Sequence, residues 1–191
     1  MINVEIWASG GGTNAAAILR YFKNNADIKV VHLACSIKLA GAFDVALKHN
    51  IASSLISKKS WNSTSILQGL EKRKVDYIIL AGFLKLVPAE VVSVYRGRML
   101  NLHPSLLPKY GGKNMYGEHV HNAVLSNKES VSGITIHEVN REFDKGKIIA
   151  QFSTTFLSSN EDLSSLKKKI QVLEHSNFPR VIESWIKSKV T

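Results

Sequence analysis

The sequence predicts an α/β protein: an open, mostly parallel, doubly wound sheet with an antiparallel addition in its C-terminal part. Three observations lead there. Short β-rich runs alternate with helix-period segments from Ile2 to His103. A glycine turn, "SGGGTN", stands where the first strand would hand over to a helix. Beyond residue 130 the alternation stops, and two strand-like runs follow one another directly.

Residues 2–8, "INVEIWA", alternate and are β-rich, so they read as a strand. "AAAILRYF" reads as the first helix and "KVVHLACS" as the second strand. "AGAFDVALKHN" reads as a helix ending near Asn50, "ASSLIS" as a short strand, and residues 62–74 as a polar helix. "DYIILAGF" has the continuous aliphatic run of a strand buried on both faces. "PAEVVSVYRG" places Pro88 at a first helical position and Gly97 at the end. "RMLNLH" is a strand that runs into "NLHPSLLP", where Pro104 and Pro108 disfavour both helix and interior strand. Residues 117–127 read as a helix, and "SGITIHEV" and "GKIIAQFST" as two strands joined by a turn. "SNEDLSSLKKKIQVL" begins with a capping box from Ser159 or Asn160, and its apolar residues at 163, 166, 170 and 173 keep helical spacing until Pro179 breaks or restarts it. No repeat or low-complexity linker divides the chain, so residues 1–191 read as one domain, a size that buries a sizeable core.

Bulk composition narrows the function classes. The apolar runs "YIIL" and "MINVEIWA" are strand-length, far short of a bilayer span. The N-terminus shows no basic region followed by an apolar one, so no secretory leader is read. Cys35 stands alone, which excludes a disulfide framework and a cysteine-rich metal site. These features predict the cytoplasm. The net charge of +10 favours anionic partners. Its lysines are scattered, the dense run "LKKKI" lies on a helix pattern, and no zinc-finger or RNA-recognition signature is present. Small phosphorylated or carboxylated substrates therefore fit better than nucleic acid.

The glycine turn leaves three readings: a tight turn, a dinucleotide fingerprint, or a cradle for a phosphate monoester. Gly10, Gly12 and Ala15 satisfy G-x-G-x-x-A, but the second strand ends in Ser36 with no carboxylate before Asp44. No Gly-Lys-Ser/Thr follows, so it is not a P-loop. In the cradle reading, Gly12 gives backbone N–H, Thr13 a hydroxyl and Asn14 an amide. At other strand ends stand Asn101 and His103, and Asp144 lies in the turn "NREFDKGK". An amide, an imidazole and a carboxylate are the parts for acyl-type transfer to an amine: one to stabilise an oxyanion, one to manage a proton, one to orient the imidazole.

"SGGGTN", "LAGFLKLVP", "GRMLNLHPSLLPKYGG", "GITIHEVNREFDKGKIIAQ" and "LEHSNFPRVI" occur in an order and spacing that closely resemble the phosphoribosylglycinamide formyltransferase family, over nearly the whole chain. The resemblance implies the formyltransferase fold, with a Rossmann-like N-terminal half. It implies transfer of a formyl group from 10-formyltetrahydrofolate, as co-substrate and without a metal, to the amine of 5-phosphoribosylglycinamide in purine synthesis. Asn101, His103 and Asp144 match its catalytic positions, and Gly12, Thr13 and Asn14 its phosphate turn. Glu174 matches a carboxylate on the glycinamide substrate. Leu84, Lys85, Leu86 and Val87 match the folate wall, and Asn140, Arg141, Glu142, Phe143 and Asp144 the loop facing the pterin, with Asn101 also in folate reach. The implied partners are these two small molecules, with no nucleic acid and no membrane, for a monomer or homodimer. Two departures stand out. "KKSWNSTSILQ" has no folate-facing arginine, leaving Lys58 or Lys59 to substitute, and "KNMYGEHVHNAVL" is a longer loop in which His119 and His121 compete for one family position. The alternatives are a formyltetrahydrofolate hydrolase, a non-catalytic phosphate- or nucleotide-binding module and a dinucleotide oxidoreductase. A methionyl-tRNA formyltransferase would need an RNA-binding domain for which the length leaves no room.

Overall fold

The computed structural model describes residues 1–155 and 162–190. Its elements run β1 (Ile2–Ala8), α1 (Thr13–Phe22), β2 (Ile28–Cys35), α2 (Ala42–Lys48), β3 (Ser53–Leu55), α3 (Ser63–Lys72), β4 (Tyr77–Leu80), α4 (Ala89–Val94), β5 (Met99–His103), α5 (Glu118–Ser126), β6 (Val131–Glu138), β7 (Ile148–Thr155) and α6 (Leu163–Val190). Among the described residues the strands form one sheet in the order β3-β2-β1-β4-β5-β6-β7. The mostly parallel α/β sheet with an antiparallel C-terminal pair is as the sequence predicts. The chain divides into two compact units, Met1–Asn101 and Leu102–Thr191.

In the N-terminal unit the chain steps outward from β1 to β2 to β3, all parallel, then returns to lay β4 beside β1. That reversal makes a topological switch point at the carboxyl ends of β1 and β4. All four residues of β4 are buried, as its unbroken aliphatic run requires. α1 turns Ala15, Ile18, Leu19 and Phe22 inward at helical spacing. Full burial of Ile6, Ile78 and Ile79 stabilises the unit by about 1.5–3 kcal/mol each. α3 is capped by Asn62, whose Oδ1 accepts the Ser65 N–H at 2.9 Å. Pro88 precedes α4 as its N-cap residue instead of opening the first turn.

A buried charge sits in this unit. The β1–β2 register shifts between Val4 and Glu5, pairing Glu5 with His32. Glu5, 1% exposed, accepts from Arg73 Nε at 2.7 Å and from Trp7 Nε1 at 2.9 Å, with His32 Nδ1 at 3.4 Å. Burial works to raise its pKa; His32 and Arg73 outweigh that and hold the carboxyl below its ordinary range.

In the C-terminal unit β6 and β7 pair antiparallel, Ile134 opposite Phe152 and Thr135 opposite Gln151. Gly133 is required there, because a Cβ would stand 2.1 Å from the Phe152 carbonyl oxygen. α6 corrects the expectation at Pro179, since it continues through the proline to Val190. An interior proline costs about 3 kcal/mol, and the buried face made by Phe178, Pro179, Ile182, Trp185 and Ile186 offsets it. The expected cap residues Ser159 and Asn160 lie outside the described residues; within them, Asp162 Oδ1 accepts the Ser165 N–H at 2.8 Å. Among the described residues no helix is long and apolar enough to cross a membrane.

Candidate active site

Asn101 and His103 lie on β5 two residues apart, so strand alternation gives them the same face. His103 is 3% exposed and Asn101 half-buried. Behind them the chain is pinned by a polar knot. Thr135 Oγ1 accepts the Leu107 N–H at 2.9 Å and donates to the Ser105 carbonyl at 2.7 Å. Gln151 Nε2 donates to the Leu107 carbonyl at 3.0 Å, and Ser105 Oγ to the Lys109 carbonyl at 2.6 Å. The two prolines remove donors, and these side chains serve the remaining backbone groups. "NLHPSLLP" is thus a rigid mount.

Asp144 comes to the same imidazole from the β6–β7 turn. Its Oδ2 lies 3.5 Å from His103 Nδ1 and accepts the Gly112 N–H at 2.9 Å. Asp144 has φ +55. Gly146, two residues on, is obligatory, because a Cβ there would collide with the Glu138 carbonyl. A third group joins them that the sequence reading missed. His137 is 2% exposed, and its Nε2 lies 3.5 Å from Asp144 Oδ1. The sequence shows only Thr135 and His137 alternating with Ile134 and Ile136; the burial of both polar residues is visible only in the fold.

The electrostatics follow from this packing. Burial pushes the His103 pKa below the ordinary histidine range; Asp144 and the Tyr110 carbonyl pull upward, His137 downward. Burial works to raise the Asp144 pKa, but His137, His103 and the Gly112 N–H together hold it below the usual carboxylate value. His103 Nε2 meets the Tyr110 carbonyl at 2.8 Å. A neutral ring has one N–H for two flanking acceptors, so only the imidazolium satisfies both.

The glycine turn at residues 9–14 and the wall at residues 84–87 belong to the N-terminal unit. Gly12 adopts φ +76 and ends the turn as the N-cap of α1, and a Cβ there would stand 2.8 Å from Ala42 Cα. Thr13 is exposed and Asn14 half-buried at the helix start, where free N–H groups favour an anion. Ser9 joins turn to wall: its N–H donates to the Gly82 carbonyl at 3.0 Å and its Oγ accepts the Leu84 N–H at 3.0 Å. Ser36 stands where a dinucleotide site needs an acid, hydrogen-bonded to Ser9 at 2.6 Å. Along the wall Leu84 and Leu86 are exposed and Val87 is buried. Lys85 Nζ sits over Trp61 at 5.1 Å, and Lys58 and Lys59 are exposed.

In the C-terminal unit, Asn140 Oδ1 accepts the Glu142 N–H at 2.9 Å, forming the turn that leads through Arg141 and Phe143 to Asp144. Glu174 lines a cavity of about 590 Å³ with His121 and the first turns of α6. His121 is 7% exposed, whereas His119 is exposed against Tyr116. The buried histidine of the longer loop is therefore His121.

A family model described as formyl transferase matches residues 2–182. The chain belongs to the formyl transferase family. Among family members, the phosphoribosylglycinamide formyltransferase of Arabidopsis thaliana chloroplasts is 36% identical over 188 residues, 94% of this chain. That of Escherichia coli K12 is 33% identical over 96% of this chain and 86% of its own length. The solved phosphoribosylglycinamide formyltransferase of Bacillus halodurans superposes with a TM-score of 0.85 at 31% identity, covering 95% of this chain and 94% of that one. The chain spans 63% of the Arabidopsis protein's own length.

Proposed function

We propose that the chain transfers the formyl group of 10-formyltetrahydrofolate to the amine of 5-phosphoribosylglycinamide, giving the N-formyl product and tetrahydrofolate, and that residues 1–191 act as a single domain. The observation that carries the reading is the His103–Asp144 pair, backed by His137. The amine nitrogen attacks the formyl carbon, forming a C–N bond and a tetrahedral oxyanion. Asn101 donates its amide N–H to that oxygen. His103 is held neutral by burial in the resting site. The growing negative charge favours its transient protonation by the proton that the amine gives up, which passes on to N10 at collapse, and Asp144 balances the imidazolium. The Nε2–H is spent on Tyr110 in the resting site, so it reaches the formyl oxygen by exchanging one carbonyl acceptor for another. As the intermediate collapses, the bond from carbon to N10 of the folate breaks. The amine gives up a proton and N10 gains one, with Asp144 ordering a water for the relay. No metal enters this scheme.

Gly12, Thr13 and Asn14 take the substrate phosphate, and Glu174 its glycinamide end. In the N-terminal unit Leu84 to Val87 contact the folate, and the Lys85–Trp61 pair supplies a cation in place of the absent arginine; in the C-terminal unit the folate-facing residues are Asn140 to Phe143. The partners are these two small molecules, used by a monomer or homodimer, and a reducing compartment such as the cytoplasm suits the lone buried Cys35. The test is tetrahydrofolate release from 10-formyltetrahydrofolate with and without 5-phosphoribosylglycinamide. Release that needs the amine is expected. Equal release without it would make the protein a hydrolase, and none at all in folded protein would refute catalysis.

A further inference from the structure

His121 occupies the buried face of α5 with Val120 and Val124, where packing alone would be better served by an apolar side chain. It lines the 590 Å³ cavity opposite residues 162–174, among them Lys167, Gln171 and Glu174. A space of that size admits a small ligand. Its Nδ1 is buried and has no hydrogen-bond partner among the described residues. Orphaned buried N–H groups are rarer than orphaned acceptors, so the ring proton belongs on Nε2 and Nδ1 keeps a lone pair. Protonating the ring would place an unmet N–H on Nδ1. The surroundings agree. Burial, then Lys167 of α6, push the pKa of His121 below its ordinary value; Glu118 of α5 opposes them, and His103 of β5 adds to them.

We infer that His121 is a substrate-positioning residue that presents a neutral Nε2–H to an uncharged oxygen of the acceptor substrate, its amide carbonyl or a ribose hydroxyl. The inference rests on the transfer reaction proposed above. A neutral donor suits an uncharged oxygen, whereas a phosphate is better met by the lysines or the glycine turn. With Glu174 accepting from the same cavity, donor and acceptor together match a hydroxyl or amide rather than an ion.

Steady-state kinetics with His121→Phe and His121→Gln test this, with 5-phosphoribosylglycinamide varied at saturating 10-formyltetrahydrofolate. The glutamine amide nitrogen takes the place of Nε2. His121→Phe is expected to raise KM for the amine about tenfold, the worth of one hydrogen bond. Its kcat and its KM for the folate stay near wild type, and His121→Gln regains most of the loss. An unchanged KM in His121→Phe that melts like wild type would overturn the inference, as would equal rises in both KM values. Nitrogen-15 NMR of the wild-type ring decides independently of turnover and of how the variants fold. An Nε2–H tautomer that stays neutral well below pH 6.5 is expected. An Nδ1–H tautomer, or protonation at the ordinary histidine pH, would refute it. A wild-type protein that transfers no formyl group would count against the proposed reaction, while the NMR result still judges the ring.

Discussion

His103 is surrounded by groups that disagree about its charge. Burial opposes protonation, and Asp144 and the Tyr110 carbonyl favour it, leaving the pKa below its ordinary value. The ring is thus uncharged at rest, and in the transfer proposed it gains most from a proton when the oxyanion forms. His103→Ala is expected to lower kcat by about 10²–10³, or about 2.7–4 kcal/mol of barrier, with KM for either substrate little changed. Thermal unfolding as a function of pH checks the resting charge state. For His103 and His121 the folded pKa lies below the unfolded value. The unfolded chain therefore binds more protons below about pH 6.5, so their contribution to stability is complete above that pH and lost as pH falls. Tm should fall from about pH 7 to about pH 5, and His121→Gln should flatten the slope. Asp144 and Glu5 have depressed values, so they act only lower, as pH falls through the carboxylate range. The meeting of His103 with Asp144 was expected from the sequence, because their residue types and strand-end positions suggest one chemistry. His137 was not, because one histidine in an apolar strand is more often a satisfied core residue, and only the β6–β7 turn brings Asp144 to it.

At the scale of elements, the glycines set the geometry. Gly146 lets the turn pass under the Glu138 carbonyl, and that passage aims Asp144 at His103. Gly146→Ala is expected to displace the turn and to cut kcat about tenfold or more, since an angstrom of misplacement costs up to about 10²-fold. Far-UV circular dichroism should show β6 and β7 still paired. In the N-terminal unit, Arg73→Ala would leave the Glu5 carboxylate buried without its guanidinium. A loss of about 3 kcal/mol is expected, at the low end for a broken buried pair because Arg73 is 31% exposed. Urea unfolding at neutral pH measures it. The alternating strands and helices were readable because each periodicity is local. The course of α6 through Pro179 was not, because the burial that offsets the proline comes from tertiary packing absent from any local pattern. The bulge that sets Glu5 against His32 is hidden for the same reason.

At the scale of the molecule, the fold explains how the transfer proposed rests on so few residues. A doubly wound sheet gathers its strand ends, and the turns after β1 and β4 share Ser9 at the switch point. The formyl transferase family membership accounts for the motif order along the chain. The net charge of +10 gives a long-range field that attracts anions. For the transfer proposed, kcat/KM is expected to fall several-fold from about 20 mM to about 200 mM salt, as screening shortens that field. In the mechanism proposed, the formyl group passes directly to the amine under the His103–Asp144 pair. The most direct measurement follows a carbon-13 formyl label from 10-formyltetrahydrofolate by mass spectrometry in the presence of 5-phosphoribosylglycinamide. Direct transfer puts the label on the amine, at a rate that collapses in His103→Ala. Label recovered as free formate, or on the amine at an undiminished rate in that variant, would contradict it.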